Sequence, residues 1–392
     1  GPCAYNPEPL ADFVDVVLLG EGEEMNMEFY QVWAEHLRAH DGKMNKKELL
    51  DEVVKIPGVY IPRFYDVAYD EAGHVTAVVP NHPDAPEKLV KRYLQHMDNA
   101  YFPENPIVPY LDVIHDRAML EVQRGCTRGC RFCQAGMLYR PVREKTVEEL
   151  QQQARAILCN TGHNDLSLTS LSTSDYTSVD ILLRSLIAEM APKNISVSLP
   201  SLRVDNFSMN LANEMQKGKK TGLTFAPEAG TQRLRDVINK GVLEANLESV
   251  ARMAFGSGWS KIKLYFMMGL PTETDEDLDG IAALAYKVLQ IGDEVRRENG
   301  GQGPAPQVTV SVSGFVPKPF TPFQFEPQIR GEELRRRQRY LRDKIKHKRV
   351  TYHYHDSQVS YIEAIFAKGD RRLGLCGMRL GSGVFCLSEN SL

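Results

Sequence analysis

From residue 117 onward, short apolar β-rich runs alternate with stretches of helical periodicity, and no other property of the chain restricts its fold as much. The runs occupy residues 119–122, 166–171, 195–199, 223–225, 262–267 and 308–312. Strands separated by helix-length segments pair in parallel, because a parallel neighbour needs a crossover that returns the chain to the same end of the sheet. The helix signals agree. Thr146 stands three residues before Glu149 as a capping box, and Val147, Leu150, Ala154, Ile157 and Leu158 then share one face. Thr274 stands three before Asp277, and Leu278, Ile281, Ala282, Ala285, Val288 and Leu289 form a second stripe. Six such βα units make an α/β fold with a partial parallel (β/α)6 barrel, the helices packing outside.

The rest of the chain is less regular. Residues 13–20 read as a short buried strand ending in the turn Gly20-Glu21-Gly22-Glu23, followed by an amphipathic helix over about 25–37. This is a strand-loop-helix unit without its sheet, and residues 1–40 are expected to be the remnant of a Rossmann-like domain. Residues 41–115 hold Pro57, Pro62, Pro80, Pro83 and Pro86 around the apolar run 75–79, the pattern of a linker with a small hairpin. Residues 116–325 are the barrel, and 326–392 a C-terminal helical/β extension. The chain begins Gly1-Pro2-Cys3 without an initiator methionine and reads as a fragment.

Composition sets outer limits. With 42% hydrophobic and 25% charged residues the chain can bury a large core, and a net charge of -4 gives no general attraction to nucleic acid or anionic membrane. No run reaches the roughly 18 consecutive apolar residues of a membrane span, and no secretory pattern opens the chain, so it is expected to be cytoplasmic. Of seven cysteines, three crowd into eight residues, which suits metal ligands better than a disulfide framework.

Those three lie directly after the first barrel strand, in Arg124-Gly125-Cys126-Thr127-Arg128-Gly129-Cys130-Arg131-Phe132-Cys133. Thiolates bind zinc and iron-sulfur clusters alike, but a closed zinc site takes four protein ligands, and the next cysteine, Cys159, lies beyond a predicted helix. Three ligands leave one iron open at the C-terminal end of a strand, the face on which βα barrels carry their active sites.

CxxxCxxC with an aromatic residue just before the third cysteine resembles the signature of the radical S-adenosylmethionine superfamily, and the resemblance covers roughly residues 116–325. It implies that Cys126, Cys130 and Cys133 hold a 4Fe-4S cluster whose open iron is chelated by the amino and carboxylate groups of S-adenosylmethionine. It further implies that one electron, from a reductant such as flavodoxin or ferredoxin, breaks the sulfur to C5' bond and yields a 5'-deoxyadenosyl radical. Phe132 is then placed near the adenine, its alternative being a core aromatic. Glu228, in Ala226-Pro227-Glu228-Ala229-Gly230, falls at the cofactor pocket, or else is a carboxylate favoured by a helix N-terminus. Met268 and Gly269 open a segment resembling the Gly-x-Pro-x-Glu-Thr turn whose backbone meets the adenine, where glycine permits close approach. Ser174, in Ser172-Thr173-Ser174-Asp175, offers a hydroxyl to the same face or caps a helix. Arg203 offers a guanidinium to the cofactor carboxylate or a substrate, or forms a structural ion pair. Val316, in Val316-Pro317-Lys318-Pro319-Phe320-Thr321-Pro322-Phe323, completes the implied pocket.

Residues 13–23 resemble the final strand and turn of a cobalamin-binding domain, which implies that residues 1–40 are the C-terminal remnant of such a domain, and the segments 170–175, 226–231 and 316–323 resemble an uncharacterised, YgiQ-related branch of cobalamin-domain radical enzymes. The cobalamin ligand motif Asp-x-His-x-x-Gly occurs nowhere in the chain, which argues against cobalamin as a cofactor. His353 and His355 alternate on a predicted strand and read as a surface pair; Cys159, Cys376 and Cys386 read as buried or incidental thiols. Residues 335–349 hold nine Lys and Arg against Asp343 alone, a run that either grips RNA phosphates or forms a solvated helix balanced by Glu332 and Glu333. Two functions follow: a radical enzyme, with RNA or protein as candidate substrates, and a non-catalytic iron-sulfur protein for electron transfer or sensing.

Overall fold

The computed structural model describes residues 2–111, 113–199, 204 and 223–374. The chain divides into two compact units, one of residues up to 95 with those from 365 onward, the other of residues 96–364.

In the first unit, β1 (Val17–Leu18) pairs antiparallel with β2 (Val59–Tyr60), followed and flanked by α1 (Gly22–Ala39), α2 (Lys46–Val53) and the hairpin of β3 (Tyr65–Tyr69) and β4 (Val75–Pro80). The strand expected over 13–20 shrinks to two residues and Phe13 is 55% exposed. Its partner strand is only two residues long, and Asp15 interrupts the apolar run, its carboxylate meeting Arg63 at 3.1 Å and Lys46 at 2.8 Å. The segment read as a linker carries the expected hairpin, and also α2, capped by the Asn45 side chain, and a core of Leu50, Val53, Val59, Ile61 and Tyr65. Arg371 secures the later segment of this unit, donating to Glu8 and to the Tyr65 carbonyl, each at 2.8 Å.

The second unit holds two parallel sheets. β5 (Ala118–Glu121), β8 (Asp165–Thr169) and β9 (Ser196–Ser198) form the first; β10 (Leu223–Glu228), β11 (Lys261–Met268), β12 (Gln307–Gly314) and β13 (Val350–Tyr354) form the second, in chain order. These are the six expected strands and a further one, β13, which carries His353 and lies in the expected C-terminal extension. Among the described residues the strands do not close on themselves, as in a partial barrel. Between them run α3 (Gln134–Leu138), α4 (Val147–Thr161), α5 (Val179–Met190), α6 (Gln232–Val237), α7 (Glu244–Gly256), α8 (Asp275–Glu298) and α9 (Gly331–Lys344), and α10 (Ser357–Lys368) follows β13. A short antiparallel ribbon, β6 (Gln123–Arg124) with β7 (Arg143–Glu144), brackets the cysteine loop.

One core unites these elements: Ile262, Leu264, Phe266 and Met268 of β11 and Val308, Val310 and Val312 of β12 are buried with the predicted stripes of α4 and α8. The box at α8 forms through Asp277, whose carboxylate accepts the Thr274 amide at 2.8 Å and its hydroxyl at 3.0 Å. At α4 only half of the expected box forms. Thr146 accepts the Glu149 amide at 3.3 Å, but its own amide donates to Asp98 at 2.8 Å, and Glu149 instead accepts from Gln153. Among the described residues no helix is long and apolar enough to cross a membrane.

Candidate active site

The cysteine loop leaves the end of β5 through β6 and turns at Gly125. There φ is +96°, and a Cβ would lie 2.7 Å from the Tyr139 carbonyl oxygen and 2.8 Å from that of Pro141, so only glycine fits. Cys130 is buried, and Cys126 and Cys133 are partly exposed. Cys133 caps α3, its sulfur accepting the Gly136 amide at 3.3 Å. Burial pushes the Cys133 thiol up and Cys126 adds to this, while the Gly136 amide and Lys240 act in the opposite sense by favouring thiolate. Among the described residues no three His, Cys, Asp or Glu side chains are gathered around a single metal ion. Cys159 is exposed on α4.

Three segments converge on this loop: the loops that follow β8 and β12, and the turn that follows α6. After β8, Asp175 takes the Arg128 guanidinium in a two-pronged contact, with Nε at 2.9 Å, and the Ser172 hydroxyl at 2.8 Å. After α6, the Ile238 carbonyl accepts the Arg131 amide at 3.0 Å, and Asn239 donates to the Gly129 carbonyl at 2.9 Å. After β12, the Phe323 amide donates to the Arg131 carbonyl at 3.2 Å, and Gln134 to the Pro319 carbonyl at 3.2 Å. The cysteine loop is therefore fixed from several sides before any cofactor is considered.

The expected site residues fall as follows. Phe132 is half-buried against a small apolar cluster with Met267, Phe315 and Phe323. Ser174 is buried in the turn after β8, and Val316 is buried just after β12. Met268 is fully buried at the end of β11, so its side chain belongs to the core. Gly269 has φ +85°, and its amide donates to Glu273 within the same turn at 2.7 Å. Arg203 lies outside the described residues, as do Cys376 and Cys386. His353 and His355 are exposed.

Glu228 ends β10 at a register shift, with a left-handed φ of +69°, costly for a residue other than glycine and found where the surroundings hold a side chain in place. Its carboxylate accepts from the Lys240 ammonium at 3.1 Å, and the two side chains are only 16% and 11% exposed. Glu228 does not cap the following helix; that is done by Thr231, whose hydroxyl accepts the Leu234 amide. Lys240 was not singled out by the sequence. The signal was a lysine at the end of a short helix, twelve residues beyond Glu228, which only the fold returns to the cysteines.

The basic run does not present the field its composition suggests. Arg336 meets Asp275 at 2.8 Å, Arg337 meets Glu273 at 2.5 Å, Lys344 meets Asp279 at 2.9 Å and Arg349 meets Asp293 at 2.6 Å. These cations face acids of α8 and the turn before it, so the reading as an RNA surface is not supported.

Residues 120–285, which include the three cysteines, Glu228, Lys240 and Gly269, match the radical SAM superfamily. The chain carries a radical S-adenosylmethionine domain. Residues 1–62 match the N-terminal region of radical SAM proteins. An uncharacterised protein of Methanocaldococcus jannaschii is 32% identical over 65% of this chain and 52% of that protein. An uncharacterised methyltransferase of Pyrococcus horikoshii is 23% identical over 63% and 52% respectively. The chain thus spans about half the length of the curated relatives it matches. In fold it is similar to the radical S-adenosylmethionine methyltransferase TsrM of Kitasatospora setae, solved with cobalamin and a [4Fe-4S] cluster, at TM-score 0.54 and 15% identity over 82% of this chain and 57% of TsrM.

Proposed function

We propose that the chain is a radical enzyme that reductively cleaves S-adenosylmethionine at a 4Fe-4S cluster held by Cys126, Cys130 and Cys133, with Glu228 and Lys240 receiving the amino-acid end of the cofactor. The observation that carries this reading is a three-thiol loop, pinned by two strand-end loops and the turn after α6, beside a mostly buried ion pair of opposite charges. The donor set fits the cluster: three thiols on one loop, and a backbone amide already directed at the sulfur of Cys133. When bound, such a cluster supplies one electron, drawn from an external reductant of the flavodoxin or ferredoxin class, to the sulfonium of S-adenosylmethionine.

The chain's own residues do the rest. The Gly136 amide and the Lys240 charge favour the thiolate of Cys133. Arg128, held by Asp175, fixes the loop between the first two cysteines. The Phe132 cluster with Met267, Phe315 and Phe323 excludes water from one side. Glu228 and Lys240 offer a carboxylate and an ammonium to a ligand end that carries the complementary ammonium and carboxylate, and their exchange of partners needs little new desolvation because both are already mostly buried.

The test is titration of S-adenosylmethionine into the anaerobically reconstituted protein, followed by the electron-paramagnetic spectrum of the reduced cluster. The wild type should show a saturable spectral change. Glu228→Gln and Lys240→Met should bind about 10- to 100-fold more weakly with iron content unchanged, as for loss of a charged hydrogen bond. Wild-type affinity in both variants would remove the pair from the pocket. A wild-type cluster indifferent to S-adenosylmethionine would leave the electron-transfer or sensing function.

A further inference from the structure

The turn 269–274 between β11 and α8 is strained and is held by side chains from elsewhere. Gly269 and Thr272 both have left-handed φ, +85° and +64°, and for a β-branched threonine that conformation persists only where the surroundings impose it. Arg233 of α6 takes the Thr272 hydroxyl at 3.1 Å and carbonyl at 2.9 Å. Glu273, whose side chain is 1% exposed, accepts the Gly269 amide at 2.7 Å, and its other partner is Arg337 of α9 at 2.5 Å. The Arg337 fork is itself aimed by Glu333, which accepts its Nε at 2.7 Å. Ile329, just before α9, lies so close that a Cβ on Gly269 would meet its Cδ1 at 2.7 Å. Residues 329 and 337 lie well beyond the 120–285 match to the radical SAM superfamily.

We infer that the segment 329–344 is a clamp on this turn, with Arg337 a positioning residue for S-adenosylmethionine that acts through Glu273. The inference rests on the radical enzyme reading and extends it to a part of the chain outside the superfamily match. Without Arg337, the Glu273 carboxylate is buried with the Gly269 amide as its remaining donor among the described residues, and the turn loses what fixes it against α9. The cofactor-facing backbone then samples other shapes, which weakens binding and leaves the cluster and its ligands alone. A merely structural salt bridge would instead affect folding without singling out one ligand.

The experiment measures 5'-deoxyadenosine formation against S-adenosylmethionine concentration in the reconstituted, dithionite-reduced protein. Arg337→Met should raise KM for S-adenosylmethionine about 10-fold, the effect of one charged hydrogen bond, with kcat within about twofold and iron content unchanged. Arg337→Lys, which keeps the charge and loses the fork, should lie between. Arg339→Gln, exposed on the same helix, should match the wild type in both parameters. Arg337→Met with wild-type KM, or with kcat and iron lost together, would overturn the inference. If that variant does not fold, Arg337→Lys decides alone: an unchanged KM overturns it and a raised one supports it. A wild type that makes no 5'-deoxyadenosine would show that the underlying enzyme reading has failed.

Discussion

Replacing Glu273 with glutamine should change how the stability of the barrel depends on pH. Burial pushes the Glu273 carboxyl up to about 7 from its ordinary 4.5; the Gly269 amide and Arg337 offset part of this, and Asp277 adds to it. That difference is worth about 3 kcal/mol at ~1.4 kcal/mol for each tenfold change in proton affinity. The folded protein holds this proton more tightly than the unfolded chain does. The favourable contribution is therefore fully present below about 4.5 and is lost as pH rises through about 7. Glutamine keeps an acceptor for the Gly269 amide and does not titrate, so wild type should lose about 3 kcal/mol relative to Glu273→Gln across this range and no more above it. For a unit of this size that is roughly 6 °C in relative Tm. Thermal unfolding of both proteins at closely spaced pH values from 5 to 8 reads it directly. Parallel Tm profiles would refute the reasoning and place the Glu273 titration outside this window.

Changing Cys126, Cys130 or Cys133 to alanine should abolish the cluster while Cys159→Ala keeps about four irons per chain; stoichiometric zinc in the natively purified wild type would sink this assignment. Arg128→Gln leaves the Asp175 carboxylate, 17% exposed, without its guanidinium, and should lower stability by about 1–3 kcal/mol in thermal unfolding; an unchanged Tm would show that the pair does not pin the loop. RNA binding by the wild type should lack the steep salt dependence of a phosphate grip, and a filter-binding slope equivalent to several released counterions would restore the basic run as a nucleic-acid surface.

The barrel was legible because its signals are local. The parallel strands leave short apolar runs, and α4 and α8 announce themselves by periodicity and by Thr146 and Thr274 at their starts. The cysteine loop was legible for the same reason, since its spacing needs no tertiary information. What escaped depends on distant partners. For the basic run the sequence offers Asp343 within it and Glu332 and Glu333 at its start, and Glu333 does meet Arg336 and Arg337; the further acids that meet it, Glu273, Asp275, Asp279 and Asp293, stand on another helix and its approach turn. Gly269 was read as room for a ligand; the fold adds that Ile329 sits against it and that Glu273 takes its amide. Lys240 reaches Glu228 only because α6 and the left-handed Asn239 turn the chain back, a geometry that no periodicity records.

The most direct measurement of the central claim is the product of cofactor cleavage. Anaerobically reconstituted protein, reduced with dithionite and given S-adenosylmethionine, should release 5'-deoxyadenosine and methionine in equal amounts, and alanine at Cys126, Cys130 or Cys133 should abolish both. A wild-type protein that carries four irons per chain and accepts an electron, yet forms no 5'-deoxyadenosine, would contradict the account.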